Sequence, residues 1–280
     1  MSFTRATLLL SAAFVLGGAA GASAADLYGG SIKDGPVMAA PMPGPMPSWY
    51  VRIDGGYAGY DTPVMTEDHY YDLTETDIDN TWSLGGGIGR YFGNGFRGDI
   101  TVDHHFESDA AGNLADPLSD LPGVRTFGLK STAVLANLYY DFDMGNRWTP
   151  YIGVGLGFAH NSTSDGTVTD PCGCLVGTIE GDSKTDVAAA LMAGMSVKLR
   201  GGASGGSFKD GYAVDTGRSL FLDVGYRFLY LGEAATGPVT ATYTAPVAGG
   251  HGGTGTVSQD PVVDDIHAHE LRVGLRYNLN

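Results

Sequence analysis

The chain has 280 residues and a formal net charge of −15, from 31 acidic and 16 basic residues. This acidic balance argues against nucleic acid as a partner, because phosphate backbones are bound by clusters of lysine and arginine. After the N-terminal region, no stretch approaches 18 consecutive apolar residues, which argues against a transmembrane helix. The 44 glycines and 15 tyrosines favour strands over helices.

Residues 1–24 contain the three parts of an export signal in order. Arg5 supplies the positive charge, residues 6–16 form an apolar run too short to cross a bilayer, and Ala22-Ser23-Ala24 is a small-residue cleavage site. The alternative is a buried N-terminal helix. The sequence therefore predicts a signal peptide, with a mature chain that starts near Ala25.

Residues 25–48 form a segment in which five prolines alternate with Met, Ala and Gly. This composition predicts an extended linker without packed structure, and a peptide ligand for a groove is the alternative. The two cysteines, Cys172 and Cys174, are one residue apart, which favours a local loop feature, bonded or not, over a metal site.

Eight segments after the linker alternate apolar and polar residues with a period of two, which predicts strands. In the last of them Leu271, Val273 and Leu275 fall on one face and charged residues on the other. Gly93-Asn94-Gly95 between the second and third predicts a hairpin. The predicted strands are residues 49–60, 81–92, 96–106, 131–142, 149–159, 185–199, 219–231 and 269–280.

The connections between these strands alternate in length and charge. Short turns follow strands two and four, whereas long polar segments at 61–80, 107–130, 160–184 and 232–265 follow strands one, three, five and seven. Residues 200–218 are longer than a tight turn and break this rule. The four long segments hold 19 acidic and three basic residues, so the remainder of the mature chain, with 12 of each, is neutral.

This alternation decides which face of the strands meets water. A soluble sandwich gives its loops no reason to alternate, whereas a membrane barrel has apolar residues outward, polar residues inward and long loops on one side. The fold class predicted is therefore all-β, an eight-stranded antiparallel up-and-down transmembrane β-barrel over residues 49–280. The charges expected to pair in its lumen are Arg52, Asp54, Arg97, Asp99, Asp103, Asp223, Arg227, Glu270, Arg272 and Arg276.

Four sequence features resemble the opacity-protein-like surface antigens of Gram-negative outer membranes, especially their alphaproteobacterial branch. They are Ala25-Asp26-Leu27-Tyr28, Trp49-Tyr50-Val51-Arg52, residues 222–228 and residues 271–279. The resemblance implies an eight-stranded barrel in the cell outer membrane, in contact with its lipid and with lipopolysaccharide. It also implies a structural role and a surface role as antigen or adhesin, with a small porin as the alternative. The linker would then be periplasmic and the four acidic loops extracellular.

The last strand also resembles the signal that the outer-membrane barrel-assembly machinery reads. In this signal a polar residue is followed by Gly, an aromatic residue and a final hydrophobic residue, and the positions here are Arg272, Gly274, Tyr277 and Leu279. The chain departs from the pattern at Asn280, since family members usually end on the aromatic or hydrophobic residue itself.

The histidines offer two alternatives to a structural role. All seven are predicted at the outer rim: His69, His104, His105, His160, His251, His267 and His269. His267 and His269 share a strand face, a spacing that suits a metal. His104 and His105 need not approach them, because strands three and eight are not neighbours in an up-and-down barrel.

An enzyme is the second alternative, since some eight-stranded outer-membrane barrels modify lipid A. His104, His267 or His269, with Ser258 or Asp264, are the residues available for such a role. The sequence contains no G-x-S-x-G, H-E-x-x-H or phosphate-binding loop, so we predict no enzymatic activity, no cofactor and no metal site.

The lumen and the first loop carry the remaining predictions. Eight strands leave an interior that side chains fill, so no general diffusion channel is expected. Narrow water-filled space beside Gly153, Gly155 and Gly157, with a small leak, is the alternative. The first loop is predicted to be soluble and mobile. Alternatively, it shares divalent cations with lipopolysaccharide phosphates or engages a basic host surface. Its acidic residues are Asp61, Glu67, Asp68, Asp72, Glu75, Asp77 and Asp79.

Overall fold

The computed structural model describes residues 49–67, 71–114, 123–144, 147–169, 175–200, 218–243, 254–257 and 261–279. Eight long strands dominate these residues: β1 (Trp49–Tyr60), β2 (Thr81–Gly93), β3 (Phe96–Leu114), β4 (Gly123–Asp141), β5 (Trp148–Thr163), β6 (Ser183–Arg200), β7 (Leu220–Ala235) and β8 (Pro261–Asn278). Within the described ranges, no helix has the length and apolar character needed to span a membrane.

The eight long strands close into a ring in which each strand pairs antiparallel with its neighbours in sequence. The ring is closed by β1 and β8, where Val51 lies opposite Tyr277 and Tyr57 lies opposite Leu271. Closure removes both edges of the sheet, so every strand of the ring has its backbone bonded on both sides. The predicted fold class, an eight-stranded up-and-down barrel, is confirmed.

The barrel has two ends, which we name by their connections. The loop end is where β1 joins β2, β3 joins β4, β5 joins β6 and β7 joins β8, and the turn end is opposite. At the turn end β2 and β3 are joined through Gly93, Asn94 and Gly95, which have φ angles of 90°, 53° and 83°. Glycine and asparagine are the residues that adopt this left-handed conformation most readily, as the predicted hairpin requires.

Several strands are longer than the sequence pattern predicts. The bounds of β1 match the prediction, but β3 and β4 continue through most of the segment 107–130 that was predicted as a loop, and β8 begins at Pro261. The continued strands keep an alternating inner face, on which Ala110, Phe127 and Leu129 are buried. The charged residues between them concealed this alternation, so the prediction of long polar loops was wrong there.

Within the described residues, the loops contain seven shorter strands. Gly166–Thr169 pairs with the loop-end part of β4 and starts a ribbon that continues through Leu175–Ile179, Val239–Tyr243 and Thr254–Val257. The others are Val64–Glu67, which pairs with β8, Tyr71–Asp72, which pairs with Val64–Glu67, and Thr74–Ile78, which pairs with β3. Much of the loop sequence is therefore folded onto the rim of the barrel.

The outward face of the ring is an apolar band. Leu271 is 69% exposed, and Trp82 and Leu156 are each 66% exposed. Aromatic residues lie near both edges of the band, with Trp49, Phe92 and Tyr277 toward the turn end and Tyr57, Phe158 and Tyr226 toward the loop end. An apolar belt bordered by aromatic residues is the surface that a transmembrane barrel presents to lipid.

Several predictions concern residues outside the described ranges and stay predictions. They are the signal peptide and linker at 1–48, most of the segment 200–218, and Asp68, His69, Cys172, Cys174, His251, Ser258 and Asn280.

Candidate functional site: the filled lumen and the loop-end rim

The turn end of the lumen is filled by two arginines and their aromatic neighbours. Arg97 pairs with Asp141 at 3.0 Å, and its guanidinium lies 4.0 Å from the ring centre of Tyr139 and 5.1 Å from that of Tyr151. Arg276 pairs with Asp223 at 2.9 Å. An arginine stacked on tyrosine rings is attracted by their electron-rich faces, so these contacts both neutralise charge and fill space.

The middle of the lumen is organised by Arg52 of β1. Its Nη2 donates to Asp54 at 2.6 Å, and its Nη1 donates to Asp99 at 3.1 Å and to the Tyr139 hydroxyl at 2.9 Å. Asn137 donates from Nδ2 to the second oxygen of Asp99 at 2.8 Å. These bonds connect β1, β3 and β4, so the centre of the barrel is crossed by side chains rather than open.

A third cluster lies between the middle and the loop end. Asp103 accepts a bond from Arg227 at 2.8 Å and one from Arg272 at 2.6 Å. Glu270 pairs with Arg227 through one oxygen and with His105 Nε2 through the other, at 2.6 Å. Asp103, His105 and Glu270 are fully buried. Buried charges require compensation of this kind, because taking each out of water costs several kcal/mol.

All ten charges that the sequence placed in the lumen lie there and pair with one another, with Asp141 or with His105. The placement of His105 at the outer rim was wrong, because it is buried in the lumen against Glu270. That placement overlooked that in a barrel of eight strands the inward side chains of non-adjacent strands meet across the lumen. The alternation of β3, which puts His105 on the same face as Asp103, was the signal that identified it as inward.

An apolar cluster occupies the loop-end part of the lumen and continues into the loops. Leu135, Leu229 and Leu231 are fully buried and point inward from β4 and β7. The same cluster includes residues of the short loop strands, among them Met65, Val168, Ile179 and Val239. Buried polar side chains lie among them, since Ser131 donates to Asn161 and Asn161 donates to the Leu231 carbonyl. The sequence did not predict this layer, because the inward face had been identified by its charges alone.

The lumen glycines are covered by large side chains from adjacent strands. A Cβ at Gly153 would lie 2.5 Å from the Tyr139 ring, and a Cβ at Gly155 would collide with the Asn137 amide. The space beside Gly153 and Gly155, where the alternative placed water, is therefore occupied by side chains. A cavity of about 20 Å³ lies in the described part of the lumen, lined by Arg52, Thr101, Asn137, Arg227 and other residues. That volume has room for about one water molecule.

Four of the predicted rim histidines lie on the outward face near the loop end. His104 bonds to Thr132 and His160 to Thr185, each through Nδ1 at 2.9 Å. His269 bonds to Asp61 through Nε2 at 3.0 Å and to the Tyr226 hydroxyl through Nδ1. His267 stacks on Phe228 with ring centres 5.4 Å apart.

These rim residues do not assemble the chemistry of the alternative predictions. Among the residues whose positions are described, no three His, Cys, Asp or Glu side chains are grouped to hold a metal ion. His267 and His269 share a face of β8 as predicted, but aromatic rings of β7 lie against both. Asp264 is half-buried at the start of β8, and Ser258 is outside the described ranges. The partners described for His269 are Asp61 and the Tyr226 hydroxyl, not the residues that the enzyme alternative named.

The acidic first loop lies at the loop end. Asp61, Glu75, Asp77 and Asp79 are exposed there. The backbones of Glu67 and Asp72 belong to the short strands Val64–Glu67 and Tyr71–Asp72. The described carboxylates thus form a solvated surface.

The residues predicted as an assembly signal lie at the closing seam. Tyr277 and Leu279 are 40% and 42% exposed on the outward face, whereas Gly274 and the partly exposed Arg272 face inward. A Cβ at Gly274 would collide with the Asp54 carboxylate, so this glycine makes room for the lumen network. The residues of the predicted signal are therefore divided between the outward face and the lumen, and their role in assembly stays a prediction.

A closed antiparallel ring with an apolar outer band and a paired, charged interior defines a transmembrane β-barrel of the outer-membrane type. Residues 10–206 match the family described as "Outer membrane protein beta-barrel domain", and the chain belongs to this family. An uncharacterized protein of Brucella abortus is 26% identical over 287 aligned residues, which cover 91% of this chain and 92% of that protein. An uncharacterized protein of Brucella suis matches equally well.

Solved structures of outer-membrane proteins align with this chain at low sequence identity. Outer membrane protein OprG from Pseudomonas aeruginosa is 13% identical and aligns with 83% of this chain and 96% of its own, with a TM-score of 0.47. Neisserial surface protein A is 18% identical and aligns with 81% of this chain and 95% of its own, with a TM-score of 0.39.

Proposed function

We propose that this protein is a non-conducting outer-membrane barrel that supports the envelope and presents a folded loop surface for interaction as an antigen or adhesin. The observation that carries the proposal is the filled lumen. Arginine–tyrosine contacts occupy the turn end, paired charges the middle, and leucine, alanine and valine the loop end. A barrel that conducts solutes requires a continuous wet path, and these three layers interrupt it.

Opening this lumen would be costly. A passage through the middle requires Arg227 to leave both Asp103 and Glu270, and Arg52 to leave Asp54 and Asp99. Breaking one such buried pair costs about 3–5 kcal/mol. The small-porin alternative therefore requires a rearrangement of the lumen, whereas a structural and surface role uses the barrel as it is.

Liposome swelling with a small sugar tests the closed barrel. Vesicles that contain the folded, heat-modifiable protein are expected to swell at the rate of empty vesicles. A porin reconstituted at the same density is the positive control. Swelling that increases with the amount of folded protein would contradict the proposal.

The interaction surface proposed is the acidic loop end, which would face the exterior. Exposed carboxylates on a surface of net negative charge attract divalent cations or basic partners. Asp61, Glu75, Asp77 and Asp79 supply four such carboxylates in the described part of the first loop. Through shared calcium ions they would bind lipopolysaccharide phosphates, and directly they would bind a basic host surface.

Amide substitution tests this surface. A chain with four amide substitutions is expected to lose two activities, calcium-dependent binding to lipopolysaccharide and salt-sensitive binding to a cationic surface. The substitutions are Asp61→Asn, Glu75→Gln, Asp77→Asn and Asp79→Asn. The matched control removes four other exposed acids by the same chemistry: Glu107, Asp109, Asp165 and Glu180. Equal binding by both variants and the unsubstituted chain would contradict a role for the first loop.

A further inference from the structure

A straight row of polar side chains crosses the outward face of β3, β4, β5 and β6. His104 lies opposite Thr132, Thr132 opposite His160, and His160 opposite Thr185. Consecutive register partners on one face are neighbours in space, so the four side chains form one continuous line around this half of the barrel. We call this line the histidine–threonine row.

The row lies immediately beyond the edge of the apolar band. Two residues nearer the turn end, the equivalent line consists of Val102, Val134, Phe158 and Val187. All four are large outward-facing hydrophobics, 45–62% exposed. In a transmembrane barrel the boundary between such rows marks the level where acyl chains give way to lipid headgroups. On each of these four strands, the member of the histidine–threonine row is therefore the first polar outward side chain beyond the apolar band.

Both histidines are held with one ring nitrogen turned to the protein. His104 and His160 each use Nδ1 to bond a threonine hydroxyl at 2.9 Å. The His104 ring also packs edge-on against Phe106, with ring centres 5.4 Å apart. Within the described residues, neither Nε2 has a hydrogen-bond partner. Each Nε2 is thus available to a group outside the protein, on an imidazole that is already oriented.

A cation accompanies the row. Lys130 is two residues from Thr132 on the outward face of β4 and is exposed. Its register partner on β5 is Ser162, which is two residues from His160 toward the loop end and is the next outward-facing position on that strand. Imidazole N–H, hydroxyl and ammonium groups are donors to phosphate oxygens, and ammonium near a membrane surface attracts anionic lipid.

We propose that the histidine–threonine row, together with Lys130, binds the phosphate groups of phosphorylated lipids in the outer leaflet. The site deepens the proposed envelope role, and it rests on that role only in placing the loop end at the outer surface. A shared metal ion is a poor alternative ligand. His104 and His160 are two strands apart, roughly 10 Å, whereas a zinc ion needs each nitrogen at about 2 Å.

The test is lipid selectivity of the full folded chain in phosphatidylcholine vesicles. Spin-labelled phosphatidic acid, a phosphomonoester lipid, is compared with spin-labelled phosphatidylcholine, and the fraction immobilised at the protein surface gives the relative affinity. Phosphatidic acid is expected to be preferred. Loss of each hydrogen bond from Nε2 is expected to weaken the preference about fivefold. Substitution of both histidines in H104F/H160F should therefore remove it.

His269→Phe is the matched control. His269 is another outward histidine near the loop end, but both its ring nitrogens bond to the protein, at Asp61 and Tyr226. It is expected to leave the preference unchanged. A second variant, T132V/T185V, keeps both imidazoles but removes the threonine hydroxyls that orient them. It should weaken the preference for phosphatidic acid without removing it. Heat-modifiable migration confirms that each variant is folded.

Three results would overturn the proposal. One is no preference for phosphatidic acid in the unsubstituted chain, and another is a preference that H104F/H160F retains. The third is a preference that inorganic phosphate in the bulk solution abolishes, because that would identify a site for the free anion rather than for lipid. None of these results changes the rate of liposome swelling, so failure here is distinguishable from failure of the closed-barrel proposal.

Discussion

His105 and Glu270 join two strands that are not neighbours in the ring. His105 Nε2 lies 2.6 Å from Glu270 Oε1, and both side chains are fully buried. β8 pairs only with β7 and β1 within the ring, so this bond crosses the lumen between β3 and β8. Glu270 also pairs with Arg227, which continues to Asp103 on β3. These bonds connect β8, the strand that closes the ring, to β3 on the opposite side of the lumen.

Glu270→Gln is expected to destabilise the folded barrel by about 3–5 kcal/mol, because it leaves Arg227 buried with its compensation reduced. The measurement is urea unfolding in vesicles, followed by tryptophan fluorescence. Glu233→Gln is the matched control. Glu233 pairs with Lys184 at the loop end, where the bond that Lys184 donates to Glu233 raises the pKa of the lysine. Both partners are over a third exposed, so the control should lose less than about 1 kcal/mol. Equal losses would show that the lumen network is not a structural connection.

Gly225→Ala is expected to destabilise the turn half of the barrel by about 1–3 kcal/mol through overpacking. A Cβ at Gly225 would lie 2.5 Å from the Tyr151 hydroxyl and 2.9 Å from the Ala193 carbonyl. Displaced, Tyr151 would also lose its contact with Arg97. The midpoint temperature of heat-modifiable migration reports the change. Gly55→Ala is the control, since the nearest atom to a Cβ there is 3.9 Å away. A midpoint no lower for Gly225→Ala than for Gly55→Ala would refute the account of lumen packing.

Phe127→Ala is expected to loosen the loop surface while the membrane-spanning ring stays closed. Phe127 is 2% exposed and belongs to the buried cluster that includes Ile179 and Val239 of the short loop strands. Removing a buried phenyl ring costs about 3–5 kcal/mol. Protease added to intact cells should cleave the loops faster, whereas migration on unboiled gels stays that of a folded barrel. Val124→Ala, at a 38% exposed position on the same strand, is expected to behave as the unsubstituted chain. Unchanged protection of the Phe127 variant would count against a packed loop surface.

Deletion of residues 277–280 is expected to block assembly, although no loop is touched. Tyr277 and Asn278 pair with Val51 and Tyr50 at the seam, and Tyr277 and Leu279 form the outward part of the proposed assembly signal. The truncated chain should accumulate as periplasmic fragments, as shown by fractionation and by loss of heat-modifiable migration. Removal of Asn280 alone is the control and should assemble normally. Normal membrane insertion of the chain that lacks residues 277–280 would show that these terminal residues are not required for assembly.

The period-two pattern was sufficient to predict the ring, because in a barrel wall each strand carries its own lipid-facing row. β1 could be located from Trp49 to Tyr60 in this way. The loop-end extensions of β3 and β4 could not. Their outward face carries charge, so no apolar row marks it. The inward residues Phe127 and Leu129 lie between the charged residues Arg125 and Lys130 in sequence.

The charged members of the lumen could be named from the sequence, but their partners could not. Which arginine meets which carboxylate depends on the stagger of the strands around the ring, and His105 meets Glu270 only because the ring closes. The tyrosines that cover the glycines were missed for a related reason. Tyr139 and Tyr151 fill the lumen through contacts with the next strand, and the alternation within one strand does not reveal such contacts.

Single-channel recording in planar bilayers tests the central claim, a lumen sealed by side chains, most directly. The folded, heat-modifiable protein is added at increasing concentration, with a porin inserted under the same conditions as the positive control. The filled lumen predicts a baseline without unitary steps across the voltage range that the bilayer withstands. Reproducible steps of one size, with a frequency that rises with the amount of folded protein, would contradict it.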